Sequence, residues 1–113
     1  MTKTEQKIQN YVKSSNDLGL GLSEELITKV TKALGPSIHN KDAETVSCSD
    51  SSELERLKTN FLQKKLGLTN SDDELNSAIK EVCEKMGSSN RNKYRALFYA
   101  LLAQKFGKES IYS

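Results

Sequence analysis

The eight residues ALFYALLA, at positions 96–103, form the most apolar stretch of the chain and decide its fold. They lie within a longer helical pattern that covers residues 89–106. A helix that is apolar on every side is buried all round, either as the central helix of a bundle or at a subunit interface. One face of this helix carries the small residues Ala96, Ala100 and Ala103, so another helix can approach it closely. The stretch therefore predicts a helical bundle arranged around its last helix.

Four further helices are predicted from apolar stripes and from the residues that begin and end helices. They cover residues 3–15 (within the N-terminal segment 1–16), 23–34, 50–66 and 71–86. Ser23, Asp50 and Ser71 are good N-caps, and Gly35, Gly67 and Gly87 are typical helix ends. No stretch indicates a strand. The predicted fold class is therefore all-α, a compact five-helix single domain over residues 1–113.

A long irregular stretch, residues 35–49, separates the second and third helices. Loops of this length are uncommon in compact domains, and they are often functional or contain a short element of their own. We expect one helical turn near residues 43–46. The loop also holds His39 and Cys48, whose roles the sequence does not define.

The composition restricts the class of protein. A chain of 113 residues is one ordinary domain, and 35% hydrophobic residues is a modest supply for its core. The chain either stands alone as a tightly packed bundle or completes its core in a homodimer, and we favour the homodimer. The net charge of +2 gives no strong field toward nucleic acid or membranes. The longest apolar run is far shorter than the roughly 20 residues of a membrane span, and the polar first ten residues do not resemble a signal peptide.

The two cysteines, Cys48 and Cys83, are expected to be free thiols. Small secreted domains usually carry several disulfides, so two cysteines favour a reducing compartment, and we expect a cytoplasmic protein. Cys83 lies on the apolar stripe of the fourth helix and is predicted to be an inert core thiol.

Two long segments resemble a known family. They are GPSIHNKDAETVSCSDSSELERLKTNFLQKKLGL at residues 35–68 and GSSNRNKYRALFYALLAQKFGKESIY at residues 87–112. Both are similar to the short bacterial proteins catalogued as domain of unknown function 2853, in the same order and spacing over nearly the whole chain. The resemblance implies a bacterial cytosolic origin and a compact helical domain. It implies no activity.

The most informative polar segment is residues 87–95, at the predicted start of the last helix. Acidic residues usually occupy a first helical turn because they complement the helix dipole, but this one has Arg91, Lys93 and Arg95. Basic groups, hydroxyls and free backbone N–H groups together are typical of an anion site. The candidate residues for a phosphate-bearing ligand, RNA or DNA are Ser88, Ser89, Asn90, Arg91, Lys93 and Arg95. The alternative is that carboxylates elsewhere pair with these bases, with Asp42, Glu44 and Asp50 as the nearest candidates.

The sequence gives little support for a catalytic or a metal-binding role. His39 and Cys48 are too few ligands for a zinc site, and a Cys48–His39 nucleophilic pair would lack an orienting group and an oxyanion hole. A loop histidine that hydrogen-bonds the backbone is the ordinary case. No nucleotide-binding motif is present, so we expect no cofactor, no metal and no enzyme activity.

The expected function is therefore that of a small non-enzymatic protein acting through self-association and binding to other proteins. The residues expected to support self-association are Ala96, Tyr99, Ala100 and Ala103. Tyr99 also lies four residues after Arg95, so the pair either stacks a base or forms a simple contact in which the arginine stem covers the ring. The alternative function is a module that binds a phosphate-bearing ligand or nucleic acid at the start of the last helix.

Overall fold

A computed structural model describes residues 2–87, 90 and 93–112, with the backbone alone at positions 41 and 42. Within these residues every regular element is helical, and one isolated antiparallel bridge joins Thr45 to Tyr94. The α-helices are α1 (Lys3–Leu18), α2 (Glu24–Leu34), α3 (Lys41–Glu44), α4 (Ser51–Leu57), α5 (Asp72–Lys85) and α6 (Arg95–Lys105). Two 3-10 helices, Gly35–His39 and Glu109–Tyr112, and a π-helical segment, Lys58–Lys65, complete the secondary structure of this part of the chain. The predicted all-α class is confirmed.

Helix α6 lies at the centre of the molecule, as the sequence predicted. It packs against α1, α2, α3 and α5. Leu97, Phe98 and Leu102 are completely buried, and the small residues Ala96, Ala100 and Ala103 are at most 1% exposed. The apolar sides of α6 are therefore covered by helices of the same chain. None of the described helices is both long enough and apolar enough to span a membrane.

The predicted helix starts are well placed. The side chains of Ser23, Asp50 and Ser71 each accept hydrogen bonds from backbone N–H groups two or three residues further on. Such caps each stabilise a helix by about 1 kcal/mol. After the π-helical segment, the Leu68 N–H donates to the Leu62 carbonyl at 3.0 Å, which closes that helical stretch as its sequence indicated.

The start of the last helix differs from the prediction. The sequence placed it at residue 89, but α6 begins at Arg95, and Tyr94 is its N-cap residue. The Val46 N–H donates to the Lys93 carbonyl at 2.8 Å, next to the bridge between Thr45 and Tyr94. This pairing holds residues 93 and 94 against the segment that follows α3. Lys93 consequently precedes the helix and does not belong to its first turn.

The helical stretch predicted over residues 50–66 changes its winding midway. It begins as α4 and continues as the π-helical segment Lys58–Lys65. In that segment Phe61 is buried and stacks on Tyr99 of α6, with ring centroids 3.9 Å apart. Lys58 is only 5% exposed and pairs with Glu55 at 3.0 Å. π-Helices are rare and are frequently found at functional sites.

The long loop contains more helix than expected. The 3-10 helix Gly35–His39 and α3 occupy most of it, and α3 lies slightly before the predicted turn at residues 43–46. One oxygen of Glu44 accepts hydrogen bonds from the Tyr11 hydroxyl and from Lys7 Nζ, both at 2.7 Å. Burial and this hydrogen bond raise the pKa of Tyr11, so its hydroxyl remains a donor. These bonds fasten the end of α3 to α1.

The prediction of two free thiols is wrong. Cys48 and Cys83 form a disulfide, with their Cα atoms 6.1 Å apart. The pairing of residues 45 and 46 with residues 93 and 94 brings the segment before α4 against the bundle, where Cys48 meets Cys83 of α5. Cys83 is 9% exposed, so its predicted place on a buried stripe is correct but its chemical state is not.

We expect Ala100→Glu to destabilise the monomer itself. Ala100 is fully buried, and an unpaired carboxylate there costs several kcal/mol unless it becomes protonated. Thermal unfolding followed by circular dichroism should show a large fall in Tm or loss of the helical signal. Lys80→Gln, an exposed change on α5, is the control. If the variant kept its fold and stability but sedimented as a smaller species than the original chain, Ala100 would instead lie at a subunit contact.

Removing the disulfide should lower the free energy of unfolding by about 4 kcal/mol, because it closes a loop of 35 residues in the unfolded chain. The change is Cys48→Ser with Cys83→Ala, which keeps position 83 apolar. Denaturant unfolding of this variant and of the oxidised chain measures the difference. A thiol assay on the unfolded, unreduced chain should find no free thiol, and two thiols per chain would contradict the bridge.

Candidate functional site

A cleft of about 460 Å³ opens between α6 and the continuous stretch of α4 and the π-helical segment. Residues from the loop around α3 close one end of it. Six of its eight lining residues have polar side chains, and the lining consists of Asn40, Ala43, Glu53, Arg56, Leu57, Asn60, Arg95 and Tyr99. We call this space the Arg56 cleft.

Two pairs of residues, each separated by four positions, line the two walls of the cleft. Arg56 and Asn60 lie on the wall formed by α4 and the π-helical segment, and Arg95 and Tyr99 lie on α6. Residues four apart in a helix lie close together on one face, which is why each pair reaches the same opening. Buried Leu57 lies between the walls. The two helical walls therefore bring four hydrogen-bonding side chains to one place.

Arg95 is held in position by hydrogen bonds to four partners. Its Nε donates to the Ala43 carbonyl at 2.6 Å, and one terminal nitrogen donates to the Thr45 carbonyl at 3.3 Å. The same nitrogen donates to Glu53 Oε1 at 2.6 Å, and the other donates to the Tyr99 hydroxyl at 3.2 Å. The side chains of Arg95 and Glu53 are 17% and 16% exposed. The guanidinium thus joins α3, the segment before α4, α4 and α6.

This environment keeps Arg95 charged. Burial acts to lower its pKa, but the hydrogen bonds to Tyr99 and Glu53 and the charge of Glu53 outweigh that effect, so the pKa of Arg95 is raised. Glu53 also accepts a hydrogen bond from the Ser47 backbone N–H at 3.2 Å. Glu53 therefore supports both the arginine and the segment that leads into α4.

The opposite wall carries donors that the protein leaves unused. Within the part of the chain that the structure describes, the side chains of Arg56 and Asn60 make no hydrogen bond or ion pair, and both residues are exposed. The Tyr99 hydroxyl accepts a bond from Arg95 and keeps its own proton to donate. The cleft lining includes two arginines and one glutamate, so the space is cationic with unused N–H and O–H groups.

The described residues of the predicted anion site have different surroundings. Ser88, Ser89 and Arg91 lie outside the described residues. Lys93 is 6% exposed, and its Nζ donates to the Asn90 carbonyl at 2.5 Å. The Asn90 amide donates to the Met86 carbonyl at 2.9 Å. Of the three described residues in this set, Asn90, Lys93 and Arg95, it is Arg95 that lines the Arg56 cleft.

The alternative drawn from the sequence was that carboxylates pair with these basic residues. Arg95 does pair with a carboxylate, but with that of Glu53 in α4, which was not among the expected partners. Glu44 binds Lys7 and Tyr11, and Asp50 caps α4 through its own side chain. The side chain of Asp42 lies outside the described part of the chain.

The residues expected to support self-association occupy two different environments. Ala96, Ala100 and Ala103 are buried against helices of their own chain, so a second copy cannot reach them while the bundle stays closed. Tyr99 is half-buried, with its ring stacked on Phe61 and its hydroxyl in the Arg56 cleft. A guanidinium carbon to ring-centroid distance of 5.7 Å shows that Arg95 also lies over this ring.

His39 and Cys48 are not brought together as a reactive pair. His39 is exposed at the end of the first 3-10 helix, and its Nε2 lies 3.5 Å from the Thr4 hydroxyl. Cys48 is bonded to Cys83 and has no thiol to activate. The described residues contain no group of three or more histidine, cysteine, aspartate or glutamate side chains placed to hold a metal ion.

Six of the eight residues that line the cleft were not singled out as site residues from the sequence, among them Glu53, Arg56 and Asn60. The available signal was the spacing of four between Arg56 and Asn60, which resembles that of Arg95 and Tyr99. Nothing in the sequence indicated that these two pairs lie across one cleft.

The fold and the cleft together define a small helical protein in which a cleft lined by polar side chains lies between the central helix and a π-helical wall. The chain belongs to the family described as protein of unknown function (DUF2853), whose model matches residues 6–110. This confirms the family resemblance noted in its two long segments. No curated protein matches the chain.

We expect Arg95→Lys to lower the free energy of unfolding by about 2 kcal/mol. A lysine ammonium cannot reach all the acceptors that the guanidinium serves, so half-buried Glu53 and two carbonyls lose their donor. Denaturant unfolding measures the change. Arg56→Lys, which alters an unpaired side chain, should stay within about 0.5 kcal/mol. Equal stability of the Arg95 variant and the original chain would contradict the anchoring role.

Proposed function

We propose that this protein is a non-enzymatic binding module that takes a small anion, most simply a phosphate group, in the Arg56 cleft. The observation that carries the proposal is the guanidinium of Arg56, which has no partner among the described residues, beside the amide of Asn60 and the hydroxyl of Tyr99. Hydrogen bonds between arginine and phosphate are charge-assisted and often bidentate, so these are among the strongest polar contacts available. The phosphate-binding alternative drawn from the sequence is retained, at a different position.

Arg95 supports the anion indirectly in this proposal. Four of its five N–H groups are already used within the protein, and Glu53 balances its charge. Its role is to fix Tyr99 and one wall of the cleft, while Arg56 supplies the unbalanced positive charge. Because the wall is anchored before the ligand arrives, little side-chain freedom is lost there on binding.

The chemistry of the lining favours binding over catalysis. The ionisable groups are two arginines, which stay charged, one tyrosine and a glutamate already in an ion pair. These groups can hold and orient an anion. A general base or nucleophile would need a group poised near neutral pH or activated by a neighbour.

A second groove provides a useful contrast. It has a volume of about 410 Å³ and is lined by Gly21, Ser23, Glu25, Leu26, Lys29, Gln104, Glu109 and Ser110. Its only lysine, Lys29, is already paired with Glu25 at 2.7 Å. With two carboxylates in the lining, this groove repels anions and serves as an internal control for binding experiments.

Self-association stays a separate prediction. With Ala96, Ala100 and Ala103 inside the chain, a homodimer or another protein would have to bind elsewhere. Among the described residues, Leu18 and Ile111 are the large hydrophobic side chains that remain exposed, at 37% and 38%. They are the first positions to examine if sedimentation shows a dimer.

The cytoplasmic location expected from the sequence also belongs to the proposal. A reducing cytoplasm opens accessible disulfides, so the state of the Cys48–Cys83 bridge there depends on the local thiol balance. The location can be checked by fractionating cells that produce the full chain.

The test is an amide NMR titration of the labelled full chain with inorganic phosphate, using chloride at matched ionic strength as the reference. We expect saturable shifts at Arg56, Leu57, Asn60 and Tyr99, and none at Ser23 and Lys29 of the control groove. Arg56→Gln should weaken binding by about tenfold or more, because it removes a charge-assisted contact.

Lys80→Gln removes the same charge from an exposed position on α5 that does not line the cleft, and it should bind as the original chain does. Equal weakening by the Arg56 and Lys80 variants would show a response to net charge alone. Shifts spread over all basic residues, or none at any concentration, would reject the cleft as an anion site.

A further inference from the structure

We infer that the Cys48–Cys83 disulfide is a redox-sensitive latch on the Arg56 cleft, closed when oxidised and released by a dithiol reductant. This inference rests on the proposed anion-binding function, since it concerns the regulation of that site. It also predicts that reduction loosens the segment before α4, which hydrogen exchange can measure without any ligand.

The disulfide fastens the segment that carries the supports of Arg95. Residues 45–50 run between α3 and α4, and Cys48 lies in the middle of this segment. The Thr45 carbonyl accepts from Arg95, and the Val46 N–H donates to the Lys93 carbonyl. The covalent bond to Cys83 therefore fixes this backbone to α5 at a point three residues after Thr45, whose carbonyl binds Arg95.

The same segment also supports Glu53. The Ser47 N–H donates to Glu53 Oε2 at 3.2 Å, and the other oxygen of Glu53 accepts from Arg95 at 2.6 Å. Asp50, at the end of the segment, caps the helix on which Glu53 and Arg56 lie. Both walls of the cleft are thus connected to the backbone around Cys48.

Without the disulfide, residues 47–50 are held mainly by hydrogen bonds near the surface, such as the Ser47 N–H to Glu53 and the Asp50 cap on α4. Ser47, Ser49 and Asp50 are exposed, and the buried apolar side chain next to them belongs to Val46. Segments with few buried contacts open locally at low free-energy cost. Release of the bridge should therefore loosen this segment first, while the core around α6 stays packed.

The geometry favours attack at Cys48. Cys48 is half-buried, whereas Cys83 is 9% exposed on the inner stripe of α5. A thiolate of the reductant attacks Cys48 Sγ, forming a mixed disulfide and breaking the Cys48–Cys83 bond. The electron pair leaves on Cys83 Sγ, which takes a proton from water.

The second thiolate of the reductant then attacks the reductant's first sulfur atom, which is bonded to Cys48 Sγ in the mixed disulfide. This step releases the Cys48 thiolate, which also takes a proton from water. The protein gains two electrons and two protons, and the dithiol becomes a disulfide. The reverse reaction closes the latch when an oxidised dithiol is supplied.

The experiment compares phosphate binding by the oxidised and reduced full chain. Amide NMR titrations with inorganic phosphate are recorded before and after treatment with excess dithiothreitol, with a thiol assay to confirm the redox state. We expect reduction to weaken binding by about fivefold or more, a typical coupling between linked sites. Removal of dithiothreitol and reoxidation should restore it.

Two variants separate the latch from an effect of the reductant. Cys48→Ser with Cys83→Ala should bind like the reduced chain and should not respond to dithiothreitol. Ser49→Ala leaves the bridge intact and changes an exposed neighbour, so it should respond as the original chain does. A Cys48/Cys83 variant that binds as tightly as the oxidised chain would overturn the inference.

Hydrogen exchange distinguishes failure of the latch from failure of the proposed function. Reduction should speed exchange at the Val46 amide and leave the amides of Leu101 and Leu102 protected. If phosphate binds neither the oxidised nor the reduced chain, the proposed anion-binding function is wrong. In that case, an unchanged rate of hydrogen exchange at the Val46 amide would overturn the latch as well. Equal phosphate affinity in both states, or global unfolding on reduction, would also overturn the latch.

Discussion

The guanidinium of Arg95 is the constraint on which the arrangement around the cleft depends. A charged group that is largely removed from water must have its donors satisfied by the protein. Arg95 meets this requirement with acceptors from α3, from the backbone at residue 45, from α4 and from α6 itself. The long loop must therefore fold back over the first turn of α6. The later start of α6 and the meeting of Cys48 with Cys83 belong to the same local arrangement.

The core gives this network a rigid base. Helix α6 is surrounded by apolar side chains of the other helices, and its alanines allow close packing inside the chain. The composition left two arrangements open, a tightly packed single bundle and a core completed by a second copy. In either arrangement, α6 itself is covered by helices of its own chain.

The Arg56 cleft combines satisfied and unsatisfied polar groups. On the α6 wall, Arg95 and Tyr99 are held by neighbours, and on the facing wall Arg56 and Asn60 have no partner within the described part of the chain. The π-helical winding begins directly after Leu57 and carries Asn60 into the opening. It also places the Phe61 ring against the Tyr99 ring, so the wall that carries Arg56 and Asn60 is packed against α6. A preorganised wall beside an unpaired charge is a suitable arrangement for binding an anion.

The sequence by itself determined the five main helical stretches, most of their caps and the central position of the last helix. These features depend on local hydrogen bonds and on apolar spacing, both of which are visible within a few residues. The tertiary structure alone decided the features that join distant positions: the Cys48–Cys83 bridge, the pairing of residues 45–46 with residues 93–94, and the partnership of Arg95 with Glu53. It also decided that Arg56 and Asn60 share a cleft with Tyr99. Each of these contacts spans more than 30 residues, and the packing angles of whole helices determine which side chains meet at that distance. Local sequence patterns contain no information on those angles.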